Sequence, residues 1–389
     1  MKVLALIEHL GHACYRYRIA PFAQALAERG VELEPSPIER GPLARAKQFW
    51  GARRFDGVIL QRRLLPYWQL ALLRRRARRL IFDFDDAIDG RDSYTQKGPR
   101  SRQRLLHFWA TLQAADAVIA GNPYLEQRAC CFVSRERVAL VPTCVEPERY
   151  RPARHERRGG AARLVWIGQR STMQSLDLLR PHLAAVAQRL PGLELRIISD
   201  AAPELPGVKV VFRRWSSQTE AEELAQGDIG VTFLPDDAWS QGKCGLRVLQ
   251  FMAAGLPVVA NPVAMNRQMV IPGDTGLLAD TPEQWAAAIE QLAADPPRRS
   301  QMGAAGRRQV EQGYSVHGWK DRFADFVANA IRGRPLPGDQ EATFPGDPAT
   351  TCRVDTALHI PARPVGDAHP TDSQRSCRQV QSRGSMLGN

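Results

Sequence analysis

Lys243 and Arg247 stand four residues apart in Gly242-Lys243-Cys244-Gly245-Leu246-Arg247, between an apolar run ending at Leu234 and another starting at Pro257. On a helix this spacing puts both cations on one face. A Gly-Lys-x-Gly turn opening a helix adds free N–H groups and the positive end of the helix dipole, so the whole complements a diphosphate. Gln250, about one turn further on, can hydrogen-bond a diol. A solvated helix face with two basic residues is the plainer reading; the strand–loop–helix–strand setting favours a site. A second turn, Gly168-Gln169-Arg170-Ser171-Thr172, follows the apolar run Arg163–Ile167. Gly168 permits a tight turn, Ser171 or Thr172 can cap the next helix, and Arg170 adds charge, so this turn also suits a phosphate. Taken alone it reads better as an ordinary capped turn. A third run, Phe82-Asp83-Phe84-Asp85-Asp86-Ala87-Ile88-Asp89, gathers four carboxylates. Asp83-Phe84-Asp85 is formally a D-x-D pattern able to hold a divalent ion. The favoured reading has Asp85 or Asp86 facing a cleft and binding ligand hydroxyls; a solvated turn with capping Asp residues is the third.

These residues need elements to hold them. Over the first 140 residues short apolar runs alternate with amphipathic stretches. Val3–Ile7, Val31–Leu33, Gly57–Leu60, Leu80–Phe82, Ala117–Ala120 and Val138–Val141 read as strands. Ile19–Arg29, Pro66–Arg79 and Pro123–Phe132 read as helices, the first stopped by Gly30. Fully apolar strands alternating with helices predict a parallel sheet covered on both faces. Residues 143–162 are rich in Pro, Arg, Gly and Glu and read as a linker. The alternation then restarts, with strands at Arg163–Ile167, Leu193–Ile198, Val208–Phe212, Ile229–Leu234 and Pro257–Ala260. Helices follow at Met173–Leu190, Leu246–Ala254, Pro282–Ala294, Arg298–Gln312 and Ser315–Ile331. The reading is a first Rossmann-like half over 1–142, a second over 163–314, a crossover helix over 315–332, and a Pro-punctuated disordered tail over 333–389. Two such halves leave a cleft between the carboxyl ends of two sheets, where ligands bind.

The chain has 389 residues, 44% of them apolar, which suits two domains with real cores. Its 53 Lys plus Arg against 41 Asp plus Glu leave +12, which implies an anionic partner. The seven cysteines include no C-x-x-C pair, which argues against a disulfide framework or a structural zinc site and suits a reducing cytoplasm. The apolar N-terminal stretch is too short for a signal peptide, and no window has the ~18 uninterrupted apolar residues of a membrane span. The run Leu72-Leu73-Arg74-Arg75-Arg76-Ala77-Arg78-Arg79 reads as a solvated helix face or a contact for anionic lipid headgroups. Nucleic acid is not expected, because no recognised module accompanies it and no aromatics are interleaved.

Gln250-Phe251-Met252-Ala253-Ala254-Gly255-Leu256-Pro257-Val258-Val259 resembles the C-terminal signature of the retaining glycosyltransferases of family 4. Ala115–Asn122, Val141-Pro142-Thr143 with Tyr150-Arg151-Pro152, and Val165–Gly168 also resemble family segments, in the family's order, so the resemblance covers roughly residues 1–331. It implies a GT-B fold: two doubly wound halves facing across a cleft. It also implies transfer of a sugar from a nucleotide-diphosphate donor to a saccharide or lipid-linked acceptor, with retention and without metal or cofactor. The donor would sit mainly on the C-terminal half, the acceptor on the N-terminal half. Two departures stand out: the family's second signature Glu, on the donor ribose, falls on Gln250, and its first, on the donor sugar, falls on Gly242. Asp236 or Asp237 would take over the latter contact, Arg170 would stand for the family's Arg, and Lys243 and Arg247 would supply its missing Lys. On this reading Lys243, Arg247 and Asp85 are catalytic, and Gly168, Arg170, Ser171, Thr172, Asp237, Gly242 and Gln250 bind the donor. Gly11, His12, Arg16 and Asp86 bind the acceptor, and Arg74, Arg75, Arg76, Arg78 and Arg79 are available to a membrane surface. The alternatives are a catalytically weak sugar-nucleotide-binding partner protein and a binder of anionic membrane or nucleic-acid surfaces.

Overall fold

The computed structural model describes residues 1–205 and 207–337. Six strands build the N-terminal half: β1 Lys2–Ile7, β2 Glu32–Pro37, β3 Gly57–Gln61, β4 Leu80–Phe84, β5 Ala117–Ala120 and β6 Val138–Leu140. Six more build the second: β7 Arg163–Ile167, β8 Glu194–Ser199, β9 Lys209–Arg214, β10 Ile229–Thr232, β11 Val258–Ala260 and β12 Gly276–Leu278. Every pairing is parallel, in the orders β2-β1-β3-β4-β5-β6 and β12-β11-β10-β7-β8-β9. The central strands are buried on both faces, β3 and β4 along their whole length, as their apolar sequences require.

Helices α1 Ala13–Arg18, α2 Ala23–Glu28, α3 Pro42–Gly51, α4 Tyr67–Arg76, α5 Arg102–Ala114 and α6 Pro123–Cys130 cover the first sheet. In the second half follow α7 Gln174–Arg189, α8 Glu220–Ala225, α9 Ala238–Gln241, α10 Leu246–Ala253, α11 Ala264–Met269, α12 Pro282–Ala294, α13 Pro296–Gly313 and α14 Val316–Arg332. Four apolar clusters fill the two faces of each sheet. The cluster on one face of the first sheet includes α14: Trp319, Phe323, Phe326 and Val327 are buried there, and Phe323 stacks on Phe22 at 4.4 Å between centroids. The chain stays packed past Gly333, since Leu336 also lies against this core. The remainder of the tail, from residue 338, lies outside the described residues.

Several elements differ from the sequence expectation. The helix expected over Ile19–Arg29 is a 3₁₀ turn, Ala20–Phe22, running into α2, because Pro21 cannot donate to a continuous ladder. It is preceded by α1, which the pattern had not marked. The helix expected to Arg79 ends at Arg76, and Arg79 lies instead in the turn entering β4. Helices α3, α5 and α11 and the short strand β12 fall in stretches too mixed in composition to show a period.

Each sheet changes direction at its middle, between β1 and β3 and between β7 and β10. The loops leaving these strands carry the residues singled out above, and they meet across one cleft.

Candidate active site

The cleft has a volume of about 820 Å³ and is lined from both halves. From the second half come Gly168, Ser171, Thr172, Trp239, Lys243, Arg247 and Gln250. Gly168 approaches the Trp166 indole so closely that a Cβ would stand 2.3 Å from the ring. The following residues Arg170–Thr172 form a 3₁₀ turn, and the helix after them starts only at Gln174. Neither Ser171 nor Thr172 therefore caps α7: the Thr172 hydroxyl accepts the Gln169 N–H at 3.1 Å and donates to the Gln169 carbonyl at 3.0 Å. Arg170 is exposed, does not line the cleft, and donates its N–H to Asp200 at 2.6 Å.

Arg247 forms part of the floor. Its Nε donates to the Ile167 carbonyl at 2.5 Å, Nη1 to Thr232 Oγ1 at 3.0 Å and Nη2 to Thr172 Oγ1 at 3.5 Å, and the guanidinium lies 4.5 Å from the Trp166 ring centroid. Among the described residues no carboxylate pairs with it. Burial depresses its pKa to about 10. A buried cation held only by neutral groups is costly unless an anion arrives. Lys243 is not on the same helical face as Arg247, because Gly245, at φ 68°, turns the chain before α10 begins. Its ammonium sits 2.8 Å from Asp86 Oδ1 and 4.6 Å from the Trp239 centroid.

Asp237 caps α9, accepting the Ser240 N–H at 2.8 Å, and does not line the cleft. Gly242 is packed against the other half: a Cβ there would lie 2.4 Å from the backbone nitrogen of Ala87. The loop around it is anchored by Asn122, whose Nδ2 donates to the carbonyls of Gln241 at 2.9 Å and Lys243 at 3.1 Å. Gln250 is buried and donates to the Tyr17 hydroxyl at 3.0 Å. Tyr17 in turn donates to Glu220 at 2.6 Å, and Glu220 also takes Arg16 at 2.9 Å and the Trp215 indole N–H at 2.8 Å. Arg16 thus lines the cleft while tied to the second half.

From the N-terminal half, Asp85 and Asp86 follow β4 into the cleft. Burial works against the Asp86 carboxylate, but Lys243 and then Arg62 outweigh it and hold its pKa below the usual range. Asp85 is pushed the other way, by burial and then by the charge of Asp86. Its Oδ1 is buried and accepts no hydrogen bond. Arg62 pairs with Asp86 from a left-handed backbone, φ 58°, that a non-glycine residue adopts at a cost. Asp83 is fully buried and spent on Arg18 and Gln61, which leaves it no part in a D-x-D metal site. Among the described residues no group of three or more His, Cys, Asp or Glu is arranged for a metal ion. His12 lines the cleft and caps α1, its Nδ1 accepting the Cys14 N–H at 3.2 Å. Burial and then Arg62 lower its pKa. Gly11 is exposed and stands outside the lining.

The basic run on α4 is largely occupied: Arg74 and Arg79 pair with Asp116, Arg78 with Asp56, and Arg76 lies 3.2 Å from the Trp50 ring centroid. No helix among the described residues is long and apolar enough to cross a membrane.

Arg62, Tyr17, Glu220, Trp215 and Asn122 belong to the arrangement without having been marked as site residues in the sequence. Arg62 ends a strand and was legible in principle; Glu220 was not, because nothing local ties it to Tyr17.

Residues 161–295 match the family model described as glycosyl transferases group 1. A D-inositol 3-phosphate glycosyltransferase of Corynebacterium diphtheriae is 46% identical over 161 residues, 36% of each chain. The chain spans about half the length of the curated relatives it matches. Among solved structures, sucrose-phosphate synthase from Thermosynechococcus elongatus superposes with a TM-score of 0.65 at 17% identity, covering 86% of this chain and 100% of that one. Anabaena HepE in complex with UDP and glucose superposes at 0.61 and 15% identity, covering 85% and 100%. Residues 161–295, which match the group 1 glycosyltransferase model, form the greater part of the second half of a chain whose two doubly wound sheets have the GT-B fold.

Proposed function

We propose that the chain transfers a sugar from a nucleoside-diphosphate sugar to a hydroxyl of a saccharide or lipid-linked acceptor, with retention at the anomeric carbon and without a metal ion. The observation that carries this reading is Arg247, a cation in the cleft floor with neutral partners only. A diphosphate would meet Arg247, the Thr172 hydroxyl and Lys243, with Lys243 exchanging Asp86 for phosphate oxygens. The complex of a structural neighbour with UDP and glucose supports a nucleotide donor. In the reaction the acceptor oxygen forms its bond to the anomeric carbon as the carbon–oxygen bond to the diphosphate breaks. The hydroxyl proton passes to the departing phosphate on the same face, which preserves configuration. Asp85, which lines the cleft and whose Oδ1 has no hydrogen-bond partner and lies 3.9 Å from Arg62 Nε, accepts a hydrogen bond from a sugar hydroxyl and orients it. Fixed cations stabilise the leaving group where other enzymes use a metal.

Titration with a panel of nucleoside diphosphates and their sugars, followed by turnover assays in excess EDTA, tests this. Arg247→Ala should abolish measurable diphosphate binding, and Lys243→Ala should lower turnover by about two orders of magnitude. Near-normal turnover in Lys243→Ala overturns its role. Turnover lost in EDTA and restored by Mg²⁺ overturns metal independence. Binding without any turnover would favour a partner protein, a reading encouraged by Gly242 and Gln250 at the two signature positions.

A further inference from the structure

The segment between β4 and α5 is a closed loop. Its ends meet where Arg91 donates its N–H to the Pro99 carbonyl at 2.8 Å and Gly90 donates to Ala87 at 3.2 Å. The Arg91 side chain fills the loop from within, reaching the carbonyls of Lys97 at 3.1 Å, Gly98 at 3.3 Å and Arg100. Its base is fastened by Arg104, which donates to the Ile88 carbonyl at 3.1 Å, and by the Arg128–Asp89 ion pair. Compact loops with close ends are stiff enough to present side chains. This one presents Asp92, Ser93, Tyr94 and Thr95 to the cleft.

Two features point to a ligand. The Ser93 hydroxyl oxygen is buried and has no hydrogen-bond partner among the described residues, an arrangement that costs free energy unless something fills it. Tyr94 lines the same cleft as Arg247, and the charges of Arg247, Asp237 and Asp177 from the opposite half act on it. Burial raises its pKa, so the phenol stays a hydrogen-bond donor.

We propose that the loop Gly90–Pro99 of the N-terminal half is a wall of the donor site, with the Tyr94 hydroxyl donating to the diphosphate held on Arg247. This rests on the donor reading above and extends it. The diphosphate would be gripped from both halves, so the site is complete only when they face each other as they do here.

Calorimetric titration of UDP, ADP and GDP into the wild-type chain comes first, then into Tyr94→Phe, Arg91→Ala and Arg247→Ala, with the matching nucleoside as a probe lacking phosphates. Tyr94→Phe should weaken diphosphate binding about tenfold, the scale of one hydrogen bond to a charged group, and leave nucleoside binding unchanged. Arg91→Ala, whose side chain faces the loop interior, should reproduce the loss while the cooperative melt is retained. Wild-type affinity in Tyr94→Phe, with binding lost in Arg247→Ala, overturns the loop's role and leaves the donor reading standing. Equal losses for nucleoside and diphosphate overturn the phosphate contact. A wild-type chain that binds none of the three diphosphates overturns both.

Discussion

Gln250 stands where the sequence resemblance would put a Glu, and its neighbours favour an amide. The Tyr17 hydroxyl gives its proton to Glu220 at 2.6 Å, so it has only lone pairs to offer residue 250. An amide N–H donates to them; a carboxylate would meet them acceptor to acceptor. The same cleft holds a carboxyl under strain. Asp85 is raised above the ordinary carboxylate range, so the folded chain binds that proton more tightly than the unfolded chain. Its contribution to stability therefore falls as pH rises from the ordinary carboxylate pKa through the raised folded value, and the cost is complete above it. Asp85→Asn should accordingly raise the melting temperature at pH 7 by roughly 1–3 °C. The gain should vanish near about pH 3, where both residues are neutral. Melts of the two chains across this range check the sign; a gain independent of pH would assign it to something other than ionisation. Turnover should fall in the same variant, since the orienting acceptor loses its charge.

At the scale of elements, the loop between α9 and α10 does more than carry Lys243. It joins the halves through Asn122 on the carbonyls of Gln241 and Lys243, Cys244 Sγ donating to the Asp85 carbonyl at 3.3 Å, and Gly242 against Ala87. The last contact leaves no room for a side chain at 242. Gly242→Ala would force a methyl to within 2.4 Å of a backbone nitrogen. A cost of about 1–3 kcal/mol follows, as for other overpacked sites. Because the loop also aims Lys243, turnover should drop beyond what the stability loss explains. Denaturant unfolding beside initial rates at a temperature where both chains are folded separates the two effects.

For the whole molecule, α14 decides whether the halves act as one body. It follows the second half in sequence yet buries Trp319, Phe323, Phe326 and Val327 in the core of the first, with Ile331 against Gly57. Uncovering such side chains costs roughly 1.5–3 kcal/mol each, a sum on the scale of a domain's total stability. A chain ending at Tyr314 should therefore lose its single cooperative melt and its turnover. One ending at Pro337 should keep both, since it retains α14 and Leu336. Loss of the cooperative melt in the longer chain would assign structural weight to residues 338–389.

The sequence alone determined the alternation of buried strands and helices, because a strand covered on both faces must be apolar throughout, as Gly57–Leu60 and Ala117–Ala120 are. It also determined that Lys243 and Asp85 would sit in loops after strands and Arg247 at the start of the following helix, since strand-to-helix turns leave a local signature. What it left open are the pairings. Which cation keeps a carboxylate and which waits for an anion depends on residues more than 150 positions apart, Lys243 with Asp86, while Arg247 meets only neutral groups. Asp83 and Asp85 look alike in the run Phe82–Asp89, yet one is sealed on Arg18 and the other lines the cleft with an Oδ1 that accepts no hydrogen bond. Local periodicity reports which face of an element is buried; it carries no information on what the opposite half brings to that face, and the chemistry here is set by that encounter.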